Sequence, residues 1–300
     1  MRQPVPLNIY LHDPMLQTAR AGKLKFLNLL RDLVEARGWQ VAIHRSGDAA
    51  RAEAPGRPGH ALYHMEKPSH AAALTFRLAY HYPFWRLERV AERWRWPVAK
   101  ARFDPGAIDP AGAEDFALRL RGRVLPGPDP QRGAHVLIPL QGRIRKQRSF
   151  QAMSPVAMVE AVARTGRPCV ATLHPKESYD AQDMAALDRL AARHPNLTLG
   201  GDTMRLLRDC AFVATQNSAV ALDGFILGKP AVLFGQVDFH HIALNVAELG
   251  AEQALARAPG HRPDFAAYLD WFLRRSSIDM MAPDAPQRML AAMRRGGWPV

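Results

Sequence analysis

Cysteine is scarce: Cys169 and Cys210 are the only two in 300 residues, and each sits inside an apolar stretch, Pro168-Cys169-Val170-Ala171 and Cys210-Ala211-Phe212-Val213. That excludes a disulfide framework and a cysteine-based zinc site, and leaves two small buried thiols as the expectation. Long apolar runs are missing as well, since none approaches the ~18 residues that a membrane-crossing helix needs. The 21 glycines and 24 prolines fall without period, and no self-similar unit recurs, so collagen-like, mucin-like and solenoid architectures drop out. Three familiar signatures are also lacking: Gly-x-Gly-x-x-Gly after the first strand, Gly-x-x-x-x-Gly-Lys-Ser/Thr, and the Gly-x-Ser-x-Gly elbow. Dinucleotide oxidoreductases, nucleotide hydrolases and serine hydrolases lose their first claim accordingly. The opening Met1-Arg2-Gln3-Pro4-Val5-Pro6 shows no charged region followed by a long apolar one, so a cytoplasmic location is expected.

What is present is the composition of a folded chain: 48% hydrophobic and 23% charged residues, enough to bury real cores, with a length that predicts about two domains. Basic residues outnumber acidic ones 40 to 28, giving a net charge of +12. Arginine supplies 33 of the 40, and the excess is spread along the chain with no block of five like charges and no known nucleic-acid motif. The charge therefore points to anionic substrates or an anionic membrane surface at the inner face of the membrane rather than to nucleic acid.

Short apolar runs alternate with amphipathic stretches, the pattern of strand-helix-strand units around parallel sheets. In the first half, Leu7 to Leu11, Gln40 to Ile43 and Ala61 to His64 read as strands, and Lys23 to Arg37 as a helix closed by Gly38. From His70 to about Arg123 the reading is of aromatic-rich helical segments, with Tyr80, Tyr82, Phe84, Trp85, Trp94, Trp96 and Phe103 chiefly packing the core. Leu125-Pro126-Gly127-Pro128-Asp129-Pro130 reads as the linker, which predicts domains at 1–128 and 129–300. The second half gives strands at His135–Pro139, Cys169–Leu173, Leu197–Leu199, Ala211–Ala214 and Ala231–Phe234. Helices are expected between them near 155–164, 181–193, 203–209 and 219–227, and two more in the tail at 263–274 and 286–293. The fold class is α/β, with short, continuously apolar strands belonging to sheets covered on both faces.

In an open parallel sheet, ligands bind beyond the carboxyl ends of the strands. Along that edge of the second half stand Gln141-Gly142, His174-Pro175-Lys176, Thr215-Gln216-Asn217-Ser218 and Gly235-Gln236, four turns that should meet at one crevice. Asn217 or Ser218 would cap the following helix, whose free N–H groups and dipole welcome a phosphate. His174 and Lys176 offer a hydrogen-bond donor and a point charge, and Gln141 can meet a sugar or a base edge. Asp238-Phe239-His240-His241 is not read as a metal site, because neighbouring histidines diverge. It reads as a loop over a donor sugar, with Gln236, His240 and His241 as its contacts.

His174-Pro175-Lys176, then Thr215-Gln216-Asn217-Ser218-Ala219-Val220-Ala221-Leu222-Asp223-Gly224-Phe225, then Gly228-Lys229-Pro230-Ala231-Val232-Leu233-Phe234-Gly235, together resemble the capsule polysaccharide biosynthesis family, bacterial proteins that include Kdo transferases. The resemblance spans about Pro139 to His241. It implies a GT-B fold of two Rossmann-like domains facing a central cleft, with the nucleotide-sugar donor on the second and the acceptor, a glycan or a lipid-linked glycan, on the first. No metal or other cofactor is implied. A CMP-linked donor such as CMP-Kdo is one form the substrate can take. His174, Lys176 and Ser218 carry over as nucleotide-contacting positions, with Asn217 and Gln141 beside them. The chain departs from the family in its length, in the aromatic segment from Tyr80 to Phe103, and in Asp238-Phe239-His240-His241-Ile242 after the last strand.

Glycosyl transfer needs charge stabilisation at the departing phosphate and a base for the acceptor hydroxyl. His12-Asp13 and His64-Met65-Glu66 follow strands of the first half, and Asp13 and Glu66 are the candidate bases. Two other functions fit the same residues: a nucleotide-sugar epimerase or hydrolase on this fold, and a noncatalytic glycan-binding scaffold of a polysaccharide-assembly machine.

Overall fold

The computed structural model describes residues 4–300; residues 1–3 of the opening segment lie outside the described residues. Five strands come first, β1 (Val5–Leu11), β2 (Trp39–Arg45), β3 (His60–His64), β4 (Ala73–Leu78) and β5 (Phe84–Glu88). Six follow after a helical interval: β6 (Val136–Pro139), β7 (Cys169–Thr172), β8 (Leu197–Leu199), β9 (Phe212–Thr215), β10 (Ala231–Leu233) and β11 (Leu244–Asn245). The last, β12 (Ile278–Asp279), returns to the first sheet. The two six-stranded sheets run β12-β5-β4-β3-β1-β2 and β11-β10-β9-β6-β7-β8. Every pair is parallel except β4 with β5 and β5 with β12.

The strands form where apolar residues fill both faces of the pleat. In β1, Leu7, Ile9 and Leu11 are at most 1% exposed and pack with Phe26, Leu27, Leu30 and Val34 of the helix Lys25–Glu35. Tyr10, on the opposite face, stacks on Tyr63 of β3 with ring centroids 4.9 Å apart. Gly38 follows that helix at φ +78°, the left-handed conformation that glycine adopts without a Cβ penalty. The second sheet is covered likewise: Val136, Ile138, Phe212 and Val232 are wholly buried in one core with Met158, Val159 and Val162 of the helix Pro155–Ala163.

Two expectations are corrected. The stretch after His70 is not helical at its start but forms β4 and β5. Leu74 and Phe76 on one strand and Phe84 and Trp85 on the other are buried, and aromatic side chains fit a covered pleat better than a helix surface. The aromatics there do pack the core, with Phe26 stacking on both Phe76 (5.2 Å) and Trp85 (4.8 Å). Arg86, 4% exposed within β5, donates from its two terminal nitrogens to the carbonyls of Ser276 and Phe272.

The second correction concerns the division of the chain. The compact units are Met1–Lys100 with Phe272–Val300, and Ala101–Trp271, so the chain does not part at 128/129. The helix Pro110–Val124 buries Ala113 against Ala267, which ties it to the second unit. The tail helix Ala285–Arg295 buries Met289, Ala292 and Met293 in the first unit's core beside Leu7 and Leu74, so it does not belong with the second unit. Among the described residues no helix is long and apolar enough to cross a membrane.

Candidate functional site

In the second unit, β10, β9, β6 and β7 are consecutive neighbours and all parallel. The four polar turns picked out in the sequence therefore leave the same edge side by side. Backbone passes close here: a side chain at Gly142 would collide with the Glu177 carboxylate, and a Cβ at Gly235 would lie 3.1 Å from the Gln216 carbonyl and 3.2 Å from the Phe150 ring. Arg143, just past β6, holds φ at +60°, a left-handed conformation that costs a non-glycine residue on the order of 1–3 kcal/mol and gathers at functional turns.

His174 follows β7 and is held from two sides. Its backbone N–H donates to the Tyr179 hydroxyl at 2.9 Å, and its Nδ1 accepts the backbone N–H of Lys176 at 3.2 Å. Because Nδ1 is the acceptor, the neutral ring carries its proton on Nε2 and presents a donor. Lys176 is exposed, and Gln141 is half-buried at the neighbouring strand end.

Ser218 and Asn217 are 5% and 7% exposed. The helix that follows β9 is Val220–Ile226, and Ala219, already in a helical conformation, stands at its cap position. The capping bond still comes from Ser218, whose Oγ accepts the Val220 N–H at 3.3 Å. Asn217 reaches the Gln236 carbonyl at 3.5 Å, joining the turns after β9 and β10. Gln216 and Gln151, which the sequence reading passed over as ligands, each leave one buried amide atom without a protein partner, Oε1 and Nε2 respectively. Gln151 also bridges to Gly235 and takes the Arg148 N–H on its own Oε1 at 2.7 Å. Arg148, half-buried over the Phe150 ring at 4.8 Å, is held below its ordinary pKa by burial and by the charge of Arg143.

Several residues near this edge serve the fold instead. Arg145 spends its guanidinium on Asp183, Gln182 and Asp180 at 2.7–2.8 Å, bracing the start of the helix Ala181–Arg193. Lys229, 4% exposed, donates to the carbonyls of Cys210 (2.9 Å) and Gln131. Both cysteines are free and buried, and burial pushes the thiols up to about 11 at Cys169 and about 12 at Cys210. In the segment after β10, Asp238 and Phe239 are fully buried, and His241 uses both ring nitrogens, Nδ1 on the Tyr268 hydroxyl (3.0 Å) and Nε2 on the Ala101 carbonyl (3.1 Å). His241 is therefore a structural tie rather than a free donor for a sugar. His240 stacks on it at 4.3 Å and is only partly buried, and Gln236 is exposed. Among the described residues no three acidic, histidine or cysteine side chains are grouped to hold a metal ion.

In the first unit, the carboxyl ends of β1, β2 and β3 bring together His12, Ser46 and Glu66. Glu66 Oε1 lies 3.2 Å from His12 Nε2, while Oε2 accepts from Ser46 Oγ at 2.6 Å and faces Arg51 at 3.4 Å. Burial pushes the Glu66 carboxyl up, but the hydrogen bonds from Ser46 and His12 and the Arg51 charge outweigh it and hold the group below its ordinary value. A carboxylate only accepts, so in its neutral form the His12 ring gives it the Nε2 proton and has Nδ1 as an acceptor. Met65, at φ +59°, makes the turn that places Glu66. Asp13 pairs instead with Arg45.

No protein-family model matches the chain, and no curated protein matches it. Among solved structures it is similar to the Thermosulfurimonas dismutans KpsC beta Kdo 2,7 transferase, at 11% identity over 84% of this chain and 90% of that one, with a TM-score of 0.51. It is also similar to the beta Kdo 2,4 transferase of the same organism's KpsC (13% identity, 89% of each chain, TM-score 0.40). A third likeness is to the UDP-GlcNAc 2-epimerase of Methanocaldococcus jannaschii (9% identity, 97% of this chain and 99% of that one, TM-score 0.34). The two weaker likenesses carry no argument, and at such identities even the first speaks of fold alone. The resemblance to Kdo transferases seen in the sequence thus returns as a likeness of fold: this chain has a GT-B-like α/β fold of two mostly parallel six-stranded sheets.

Proposed function

We propose that the protein is a glycosyltransferase of bacterial surface polysaccharide assembly, moving a sugar from a nucleotide-activated donor to a glycan or lipid-linked acceptor. The observation that carries this reading is His174. Its Nδ1 is occupied by the Lys176 N–H, so Nε2–H is a fixed donor on the edge shared with Gln141, Asn217 and Ser218. A preoriented donor beside a lysine and a capped helix start suits the charge that gathers on a departing nucleotide phosphate. His174 and Lys176 take the phosphate, Ser218 donates its hydroxyl proton, and Gln141 and Asn217 contact the sugar or base. The positive charge comes from the chain itself, so the reaction needs neither a metal nor another cofactor. In the first unit, His12 Nδ1 takes the proton of the acceptor hydroxyl while Glu66 orients the ring and steadies the imidazolium that forms.

The test is a thermal-shift series with CMP, UDP, GDP, CDP and ADP in the presence of a chelator. One nucleotide should raise Tm, because a ligand that binds only the folded state stabilises it. The shift should shrink markedly in His174→Ala, and the same nucleotide should be the leaving group in a transfer assay. Silence at millimolar concentration of all five would overturn the reading.

A further inference from the structure

The first unit holds a cavity with several charged residues in its wall, apart from His12, Ser46 and Glu66. It measures 270 Å³ and is lined by Glu88 and Arg89 at the end of β5, by Arg95, by Lys100 of the short helix Pro97–Lys100, and by Arg295 at the end of the tail helix. Its wall also includes Val90, Pro97 and Ala292. The register Thr75 to Glu88 and Leu78 to Trp85 sets the end of β5 beside the start of β4. The cavity therefore lies at the opposite edge of the sheet from His12, Ser46 and Glu66, which follow the carboxyl ends of the parallel strands.

Its charge is unbalanced: four cations to one carboxylate. Arg95 has a distant partner in Glu92 at 3.8 Å. Arg89, Lys100 and Arg295 are exposed and make no ion pair or side-chain hydrogen bond among the described residues. Lys100 and Arg295 end helices, where a cation complements the dipole, but that leaves their N–H donors unspent. Elsewhere arginines near carboxylates are paired, as Arg145 and Arg288 show. Like charges gathered around a concave surface repel one another and are relieved by a bound anion.

We propose that this cavity binds a phosphate-bearing anion, at a site separate from the nucleotide edge. A phosphate carries about −1.5 to −2 charge with three acceptor oxygens, which suits two guanidinium forks and an ammonium. The volume falls just under the ~300 Å³ where drug-sized ligand pockets begin, so it fits a phosphate or diphosphate with a small substituent. That group is either a free phosphate ester or the headgroup of an anionic lipid.

The experiment uses His174→Ala, in which the nucleotide edge is weakened, alone and combined with Arg89→Ala and Arg295→Ala. Titration calorimetry with inorganic phosphate and diphosphate reads the free form. Flotation with vesicles of phosphatidylglycerol and phosphatidylcholine, against phosphatidylcholine alone, reads the lipid form. At low salt, at least one probe should bind His174→Ala and weaken tenfold or more when both arginines are removed, with unchanged Tm. Binding of phosphate or diphosphate names a soluble ester, and binding of anionic vesicles alone names the headgroup. Failure of every probe, or binding indifferent to the two arginines, overturns the proposal and leaves the nucleotide-edge reading untouched.

Discussion

The backbone N–H of Lys176 points at Nδ1 of His174 across 3.2 Å, so the turn after β7 selects the histidine tautomer before any ligand arrives. A ring held this way does not reorganise when a phosphate binds, which is where such a donor gains its effect. His174→Ala should weaken nucleotide binding about 10- to 100-fold, the worth of one hydrogen bond to a charged group. The fold should be indifferent, because the backbone N–H bond to Tyr179 survives the substitution. Calorimetric Kd values beside Tm values decide the matter; a large loss of Tm would make His174 structural.

The pair of His12 and Glu66 separates base from orienting group. His12→Ala should lower kcat by about 10²–10⁴, the range for a general base. Glu66→Gln keeps the side chain's size but loses the carboxylate that fixes the ring, so it should lower kcat less while moving KM under about threefold. Asp13→Asn removes the partner of exposed Arg45 and should change kcat little. Steady-state kinetics on the three variants test the assignment, and a dominant effect of Asp13→Asn would transfer the role to that carboxylate.

Lys229 lies in one of the segments on which the family resemblance rests, yet its ammonium is buried against two backbone carbonyls. Lys229→Met fits the volume but strands the carbonyls of Cys210 and Gln131, at about 2–3 kcal/mol. Urea denaturation should show that loss while the nucleotide Kd of the folded protein stays within about twofold. A nucleotide affinity that collapses with stability intact would place Lys229 in the site.

The second sheet was legible because its strands are short, apolar on both faces and followed at once by polar turns; Thr215 to Ser218 and His174 to Lys176 stand where that pattern sets them. What escaped was non-local. The strands β4 and β5 lack an alternating pattern, since neighbours such as Phe84 and Trp85 are both buried, and only pairing across the hairpin shows them as strands. The return of the tail helix to the first unit depends on Met289 and Met293 finding Leu7 and Leu74, more than 200 positions away in sequence. In the site, His241 reads as a free donor until Tyr268 and Ala101 are seen to take both nitrogens, and Gln151 carries no local motif. Ser46 and Arg51 around Glu66 come from a different strand and helix, so no spacing rule finds them.

Two histidines of the first unit make its stability depend on mild acid. His60 packs in one cluster with Trp39 (4.5 Å) and Trp298 (5.4 Å), and burial, helped by His70, pushes it down to about 4. His64, beside Phe76, is pushed down to about 4 by burial and by the charges of Arg77 and His12, with Glu66 opposing. Their unfolded values lie at the ordinary 6.5. Between those limits the unfolded chain takes up protons that the native rings refuse, so stability is whole above pH 6.5 and declines as pH falls toward 4. Each ring keeps some contact with solvent, which discounts its share to on the order of 1 kcal/mol. Urea midpoints at pH 7, 5.5 and 4.5 should therefore fall for the wild type. In His60→Gln/His64→Gln the midpoint at pH 7 is lower, because packing is lost, but the decline with acid is shallower. An unchanged slope in the double variant would mean that other groups carry the acid sensitivity.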